Sequence, residues 1–525
     1  MIELTVNEEQ QRESATRCRE RDIIVPTFRE MKNPELIPKH IREELSGIGL
    51  WDLHPRNLFR ITWKNEPVDH GGGFGGVNYL ELPPELTGVP ARILALVGKW
   101  FPTGAHKVGA TFGCIAPQLV TGQFDPTGHK AVWPSTGNYC RGGAYVAALL
   151  GCRSVAILPE EMSSERFEWL KRVAGEVIAT PGCESNVKEI FDKCWELKEG
   201  RDDVVIFNQF EEFGNHLWHY EVTGSALVEM LEGAMREGDR VAGVALSSGS
   251  SGTLGCADYL KERFPGARLA VGEALQCPTL LENGFGGHRI EGIGDKHVPW
   301  IHNLRNTDMV VAVDDEVTVR MMRLFNEEAG RQLLRREGVE DAVVDSLELL
   351  GVSSIGNLVT AIKMAKYYEL TGEDVVTTVF TDSMELYGSR IRELAEKRGA
   401  YAREQALRDR EVMLAVGTDH LEELRYVDRR RIHNLKYYTW VEQQGRDLEE
   451  LNRQWYDYAA YWDHTGVADS IDRHIDEFNR MVGAAGGADD GRTRPRGDRS
   501  ATGSTDRADR ADRADRPAGG EEAQR

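Results

Sequence analysis

No apolar run in the chain approaches the roughly 20 residues of a membrane span, so no membrane role is expected. The first 22 residues, MIELTVNEEQQRESATRCRERD, carry charges where a secretion signal needs an apolar stretch, which leads to the expectation of a cytoplasmic protein. A basic excess is also missing. There are 64 Lys plus Arg against 85 Asp plus Glu, a formal charge of -21. A duplex nucleic-acid binder needs a cationic face to replace counterions, so nucleic acid is not an expected partner. The eight cysteines, at 18, 114, 140, 152, 183, 194, 256 and 277, form no CxxC and no other metal-ligand spacing. They read as reduced thiols. What remains is 525 residues of ordinary globular composition, 41% apolar and 28% charged, enough for a sizeable core.

Four regions follow from composition and periodicity. Residues 1–74 form an N-terminal extension ahead of the first clear strand, and the glycine run Gly71–Gly76 reads as a loop with no ligand assigned. Residues 75–399 alternate short apolar runs with helix-like segments. The runs include ARILALV, SVAILP, DVVIFN, GVALSS, LAVGEA, MVVAV and VVTTVF. Near-continuous apolar strands between helices indicate parallel sheets covered on both faces. About nine strands in some 300 residues suggest two α/β lobes. Residues 400–482 read as helical, with Leu448, Leu451, Trp455, Tyr458 and Trp462 at helical spacing, followed by Ile471, Ile475, Phe478 and Val482. Their many aromatic residues are expected to pack against the main body or a second subunit. From Gly483 to Arg525 there is no Leu, Ile, Val, Phe, Tyr or Trp. Such a segment cannot bury enough apolar surface to offset chain entropy, so a disordered tail is expected.

In parallel sheets ligands bind beyond the carboxyl ends of strands, so the strand-to-helix turns are where chemistry is expected. PTGAHK places Lys107 in a Gly/Ala-rich turn opening a helix. PSTGN offers the Ser135 and Thr136 hydroxyls, the Asn138 amide and free backbone N–H groups, which suit a carboxylate or simply cap a helix. SSGSSGTLG brings Gly249, Ser250, Ser251, Gly252 and Thr253 to a helix start, either a phosphate cradle or a Gly/Ser loop. It lacks both the GK[ST] ending of a P-loop and the GxGxxG of a dinucleotide fold. TDSMELY puts Asp382 and Ser383 at a strand end, as partners for a ring nitrogen or as a helix cap. An amine, two anion-binding turns and a polar strand end together suit pyridoxal 5'-phosphate (PLP).

At this point the sequence resembles the fold-type II PLP enzymes, the superfamily of cysteine synthase, cystathionine β-synthase and tryptophan synthase β, and its motifs sit closest to cysteine synthase. The likeness runs from about Gly75 to Arg390. It includes PTGAHK, STGN, PEEMSSER, the QF…N…H…TG spacing within residues 208–224, GSSGTLG, HRIEGIG and TDSMELY, in the family's order. The resemblance implies a two-lobed α/β PLP fold of type II, with parallel-sheet lobes and helices on both faces, here with a helical C-terminal extension and a tail. It implies Lys107 as the Schiff-base and catalytic residue, and Ser135, Thr136 and Gln209 as substrate-carboxylate contacts. It also implies Asn138 on the cofactor ring, Gly249, Ser250, Ser251, Gly252 and Thr253 on its phosphate, and Ser383 on its pyridine nitrogen. A homodimer is the family's usual state.

Two departures stand out. Val108-Gly109 follow the lysine where cysteine synthases carry Asp-Arg, and GIGAGF becomes Gly292-Ile293-Gly294-Asp295-Lys296-His297. The implied activity is β-replacement on a serine- or cysteine-type amino acid through an aminoacrylate. Alternatives are β-elimination to a keto acid, or a weakly catalytic PLP-binding interaction protein. His216 and His219 are read as packing and loop residues, with no metal site expected.

Overall fold

The computed structural model describes residues 2–66, 72–135, 137–183, 185–294 and 296–483. Thr136, Asp295 and the tail from residue 484 onward therefore lie outside the described residues, and Gly71 does too. Among the described residues eleven strands form two sheets: β1 (Tyr79–Leu82), β2 (Arg92–Val97), β3 (Lys130–Pro134), β4 (Arg153–Pro159), β5 (Glu176–Thr180), β6 (Val204–Ile206), β7 (Arg240–Ser247), β8 (Arg268–Ala274), β9 (Met309–Val313), β10 (Asp374–Phe380) and β11 (Leu421–Glu423). The smaller sheet has the order β5-β4-β3-β6 and is wholly parallel. The larger has the order β1-β2-β10-β7-β8-β9-β11, with a parallel centre and an antiparallel strand at each edge. Every residue of β2, β9 and β10 is buried, as continuous apolar runs require when helices cover both faces.

The segment 400–482, expected to be helical throughout, also supplies β11. Leu421, Glu422 and Glu423 pair with Val311, Val310 and Met309 and cover the open edge of β9. Three residues are too few to give a period-2 signal, and the unpaired groups of an edge strand recruit them. Most of the rest is helical, and Trp440, Trp455, Tyr461 and Trp462 turn inward while Tyr426, Tyr438 and Tyr456 stay exposed. Trp440, Tyr461 and Trp462 pack with Phe191, Phe210, Phe213 and Trp300. Within this layer the ammonium of Lys436 is fully buried and donates to Trp300 O, His302 O and Gln454 Oε1 at 2.7–2.8 Å. Burial holds it well below the ordinary lysine range.

The two ends of the folded chain meet. The helix Glu8–Glu20 starts at Asn7, whose side chain accepts from Gln10 N, and carries Glu8 and Glu9 in its first turn and Arg17 and Arg19 in its last, as the helix dipole favours. Arg19 Nε donates to Val482 O in the helix Val467–Gly483, and Asn479 exchanges two hydrogen bonds with the backbone of Val25. Asp472 accepts from the backbone N–H groups of Phe28 and Arg29. Ala15, Cys18, Phe28, Ile471, Ile475 and Phe478 share one apolar cluster with Val108, Phe112 and Leu119 beside the predicted lysine. All eight cysteines are free. Among the described residues no helix is long and apolar enough to cross a membrane.

Candidate active site

The turns singled out in the sequence converge on one cavity between the two sheets. It is lined by Lys107, Ser135, Asn138, Gln209, Gly249, Ser250, Ser251 and Thr253, and in addition by Tyr139, Asn357, Thr381 and the segment Gly292–Gly294. Ser135 and Asn138 arrive from the end of β3, and Gln209 from beyond β6. Gly249–Thr253 follow β7, and Thr381 follows β10. All four strands are parallel members of their sheets, so their carboxyl ends face the same cleft. Gly252 and Ser383 are not among the lining residues, and Thr136 lies outside the described residues.

Lys107 is the first residue of the helix Lys107–Val120. Its Nζ donates to Ser250 Oγ at 3.1 Å, and Asn215 Nδ2 donates to the same oxygen at 3.1 Å. The turn before it is tight: Thr103 and Gly104 both have left-handed φ, +68° and +71°. The departure at Gly109 has a steric reason. A Cβ there would sit 2.1 Å from the Trp218 ring. One turn on, Gly113 and Gly214 face each other, each Cβ position within 2.3 Å of the other's carbonyl oxygen. This close approach sets the helix Phe213–Trp218, with Asn215 on it, against the lysine helix.

The Gly249–Thr253 turn is built for close approach. Ser251 has φ +63° and its hydroxyl lies 2.8 Å from that of Ser248. A Cβ on Gly249 would stand 2.9 Å from Gly292 O, and one on Gly252 would stand 2.0 Å from Asn215 Oδ1. Glycine, hydroxyl donors and a helix start at Gly252 together suit a phosphate. The buried oxygens Asn215 Oδ1, Asn138 Oδ1, Asp382 Oδ1 and Ser383 Oγ have no hydrogen-bond partner. Buried polar atoms of this kind await a ligand or water. On these grounds the residues fit the amine-linked, phosphate-bearing cofactor the sequence suggests.

Sequence reasoning left out the network behind the cavity. Asp382 is fully buried and accepts from Asn138 Nδ2 at 2.6 Å and from the Tyr387 hydroxyl at 2.7 Å. Arg166 donates to the Tyr387 oxygen at 2.9 Å and pairs with Glu291, which in turn accepts from Arg390 Nε at 2.6 Å. Burial raises the Asp382 carboxyl above its usual range against the pull of Arg166 and Asn138. Gly137, at φ +154°, lies over Arg166, where a Cβ would be 2.7 Å from the guanidinium. Arg166, Tyr387 and Glu291 all sit within motifs quoted above, but nothing in their spacing assigns them to one carboxylate. Asn357, on the helix Val352–Tyr367, gives no local signal at all.

His106 packs edge-on to His219 at 4.8 Å, its Nε2 3.3 Å from Thr381 Oγ1. Burial, with Lys107 adjacent, lowers its pKa well below the ordinary value. Of the unusual segment, Gly292, Ile293 and Gly294 line the cavity. Lys296 pairs with Glu189 at 3.7 Å, and His297 stacks on Phe191. Both engage the helix Val187–Gly200, whose first residue, Val187, lines the cavity.

Comparison with known proteins agrees with this geometry. Residues 88–334 match the model of the pyridoxal-phosphate dependent enzyme family. A cysteine synthase of Staphylococcus aureus is 30% identical over 287 residues, covering 54% of this chain and 84% of that protein. Cystathionine β-synthase of Saccharomyces cerevisiae is 26% identical over 313 residues, 58% of either chain. Among solved structures, a cysteine synthase of Entamoeba histolytica shares the fold with a TM-score of 0.53 at 22% identity, covering 65% of this chain and 93% of that one. The chain belongs to the fold-type II PLP-dependent enzymes, and PLP is its cofactor.

Proposed function

We propose that the protein catalyses β-replacement on a serine- or cysteine-type amino acid. The observation that carries this reading is the chemistry of the cavity wall. Lys107 is the one amine among the described lining residues, and the end of β10 presents the neutral Thr381 hydroxyl, while Asp382 is engaged by Asn138 and Tyr387. PLP, when bound, supplies an electron sink for charge developing at the substrate Cα. Lys107 would carry the cofactor and move the proton at Cα. Gly249, Ser250, Ser251, Gly252 and Thr253 would hold its phosphate. Ser135, Thr136 and Gln209 would hold the substrate carboxylate, with Asn138 against the ring. Thr381 or Ser383 would meet the ring nitrogen. A hydroxyl does not keep that nitrogen protonated, which favours rapid loss of a β-substituent over racemisation or transamination.

The test is a panel of serine, O-acetylserine and cysteine with and without sulfide. A new β-substituted amino acid, formed only when the nucleophile is present, supports replacement. Keto acid and ammonia released at the same rate without it would establish elimination instead. Lys107→Ala should lose both turnover and the visible absorbance of the bound cofactor. We further propose a cytoplasmic homodimer, testable by light scattering of the purified chain and by fractionation.

A further inference from the structure

Behind the Gly249–Thr253 turn three segments bring ionisable groups together. His216 lies on the helix Phe213–Trp218, next to Asn215. Asp258 lies on the helix Gly255–Arg263, directly after that turn. His464 comes from the link between Tyr458–Tyr461 and Val467–Gly483, nearly 250 residues from His216. One possible ligand atom from each lies within 4.8 Å of the other two. His216 is fully buried and His464 is 7% exposed. Neither ring nitrogen of His216 makes a hydrogen bond, and Nε2 of His464 makes none.

A buried imidazole whose nearest acceptor is too poorly aligned for a hydrogen bond regains little of the hydration it loses. Two such rings grouped within 4.8 Å of one carboxylate oxygen offer the donor set of a cation site. His216 Nε2 stands 3.4 Å from Asp258 Oδ2. Two ligands held about 2.0–2.1 Å from a tetrahedral ion are separated by about 3.4 Å, so this pair already has the spacing, and the His464 nitrogen lies within 4.8 Å of both.

The surroundings resemble the outer shell of a metal site. Asp258 also accepts from the amides of Asn303, at 3.0 Å, and Asn306, which fix the carboxylate. Asn303 Nδ2 reaches on to the Tyr458 hydroxyl at 3.1 Å. Trp462 packs on the His216 ring and Tyr220 on the His464 ring, at 5.5 and 4.9 Å. Two imidazoles and a carboxylate in an aromatic shell favour zinc over the hard, oxygen-seeking cations.

We propose that His216, Asp258 and His464 hold one zinc ion that fastens the C-terminal extension to the two helices supporting the Gly249–Thr253 turn. With both imidazoles buried and Asp258 only partly exposed, the ion has no opening for a substrate and acts as a clasp, its fourth position taken by water. The site does not depend on which reaction the enzyme performs.

The experiment equilibrates the purified full-length holoenzyme with Zn²⁺, removes loosely held ion by gel filtration, and measures metal by mass spectrometry. About one equivalent per chain is expected, and Co²⁺ in its place should give the visible bands of a tetrahedral ion. His464→Ala and Asp258→Asn should lose the stoichiometric ion while keeping the cofactor absorbance. A parent chain that retains no ion overturns the proposal, as do variants that hold as much as the parent. If either variant fails to fold, X-ray absorption of the zinc-loaded parent decides. Two imidazole nitrogens with oxygen support the site, and an all-oxygen or thiolate shell overturns it.

Discussion

Asn138 and Asp382, 244 positions apart, are joined by a 2.6 Å hydrogen bond beneath the candidate active site. One opens the helix after β3 in the smaller sheet, and the other follows β10 in the larger. The carboxylate also serves Tyr387, whose oxygen receives Arg166. Replacing Asp382 by Ala leaves the Asn138 amide and the Tyr387 hydroxyl without their acceptor, while Arg166 keeps Glu291. Removing one partner of a buried charged network costs about 3–5 kcal/mol. Tyr387→Phe, which removes one hydroxyl, should cost about 1 kcal/mol. Denaturant unfolding of the two variants checks the order.

The glycine after Val108 is required by packing. Gly109→Ala places a methyl 2.1 Å from the Trp218 ring, and overpacking of this kind costs about 1–3 kcal/mol. Gly233, in the helix Gly224–Ala234, meets nothing within 4 Å. Gly233→Ala should therefore stabilise by about 0.5–1 kcal/mol, the ordinary helix preference. Thermal melts of both variants should move in opposite directions.

Lys436→Met should destabilise although it removes a buried charge. The methionine fills the space but leaves His302 O and Gln454 Oε1 without a donor, while Trp300 O keeps only Gln454 Nε2. Each unsatisfied buried acceptor costs about 1–3 kcal/mol. An unchanged unfolding midpoint would show that the extension docks through its aromatic residues alone.

Glu316 collects Arg398, Arg289 and Arg320, which hold its carboxyl down at about 2 against an ordinary 4.5. A depressed carboxylate contributes stability that is complete above the unfolded value and is lost as pH falls through the folded one. Glu316→Gln should thus melt below the parent at pH 7, and the gap should narrow between pH 4.5 and 2. A gap independent of pH would assign the loss to packing.

The strands and the chemical turns were legible because their signals are local. A continuous apolar run such as VVTTVF is a buried parallel strand wherever it occurs, and Gly/Ser turns at strand ends mark anion sites. Lys107, Ser135, Asn138, Gln209, Gly249, Ser250, Ser251 and Thr253 accordingly meet at one cavity. Thr381, which lines the cavity beside the motif-assigned Ser383, carries no signal of its own, because one hydroxyl at a strand end looks like the next. β11 was missed because three residues carry no period.

By itself the sequence determined two sheets with parallel centres, a cavity at their carboxyl ends and the residue types that line it, since alternation and turn chemistry act over a few residues. Tertiary structure alone decided which groups meet. It turned Asp382 to Asn138 and Tyr387, buried Lys436 among three carbonyl-type oxygens, and set His464 beside His216 and Asp258. These pairings span from under ten to almost 250 residues. They are fixed by how helices pack across the sheets, which no local pattern records.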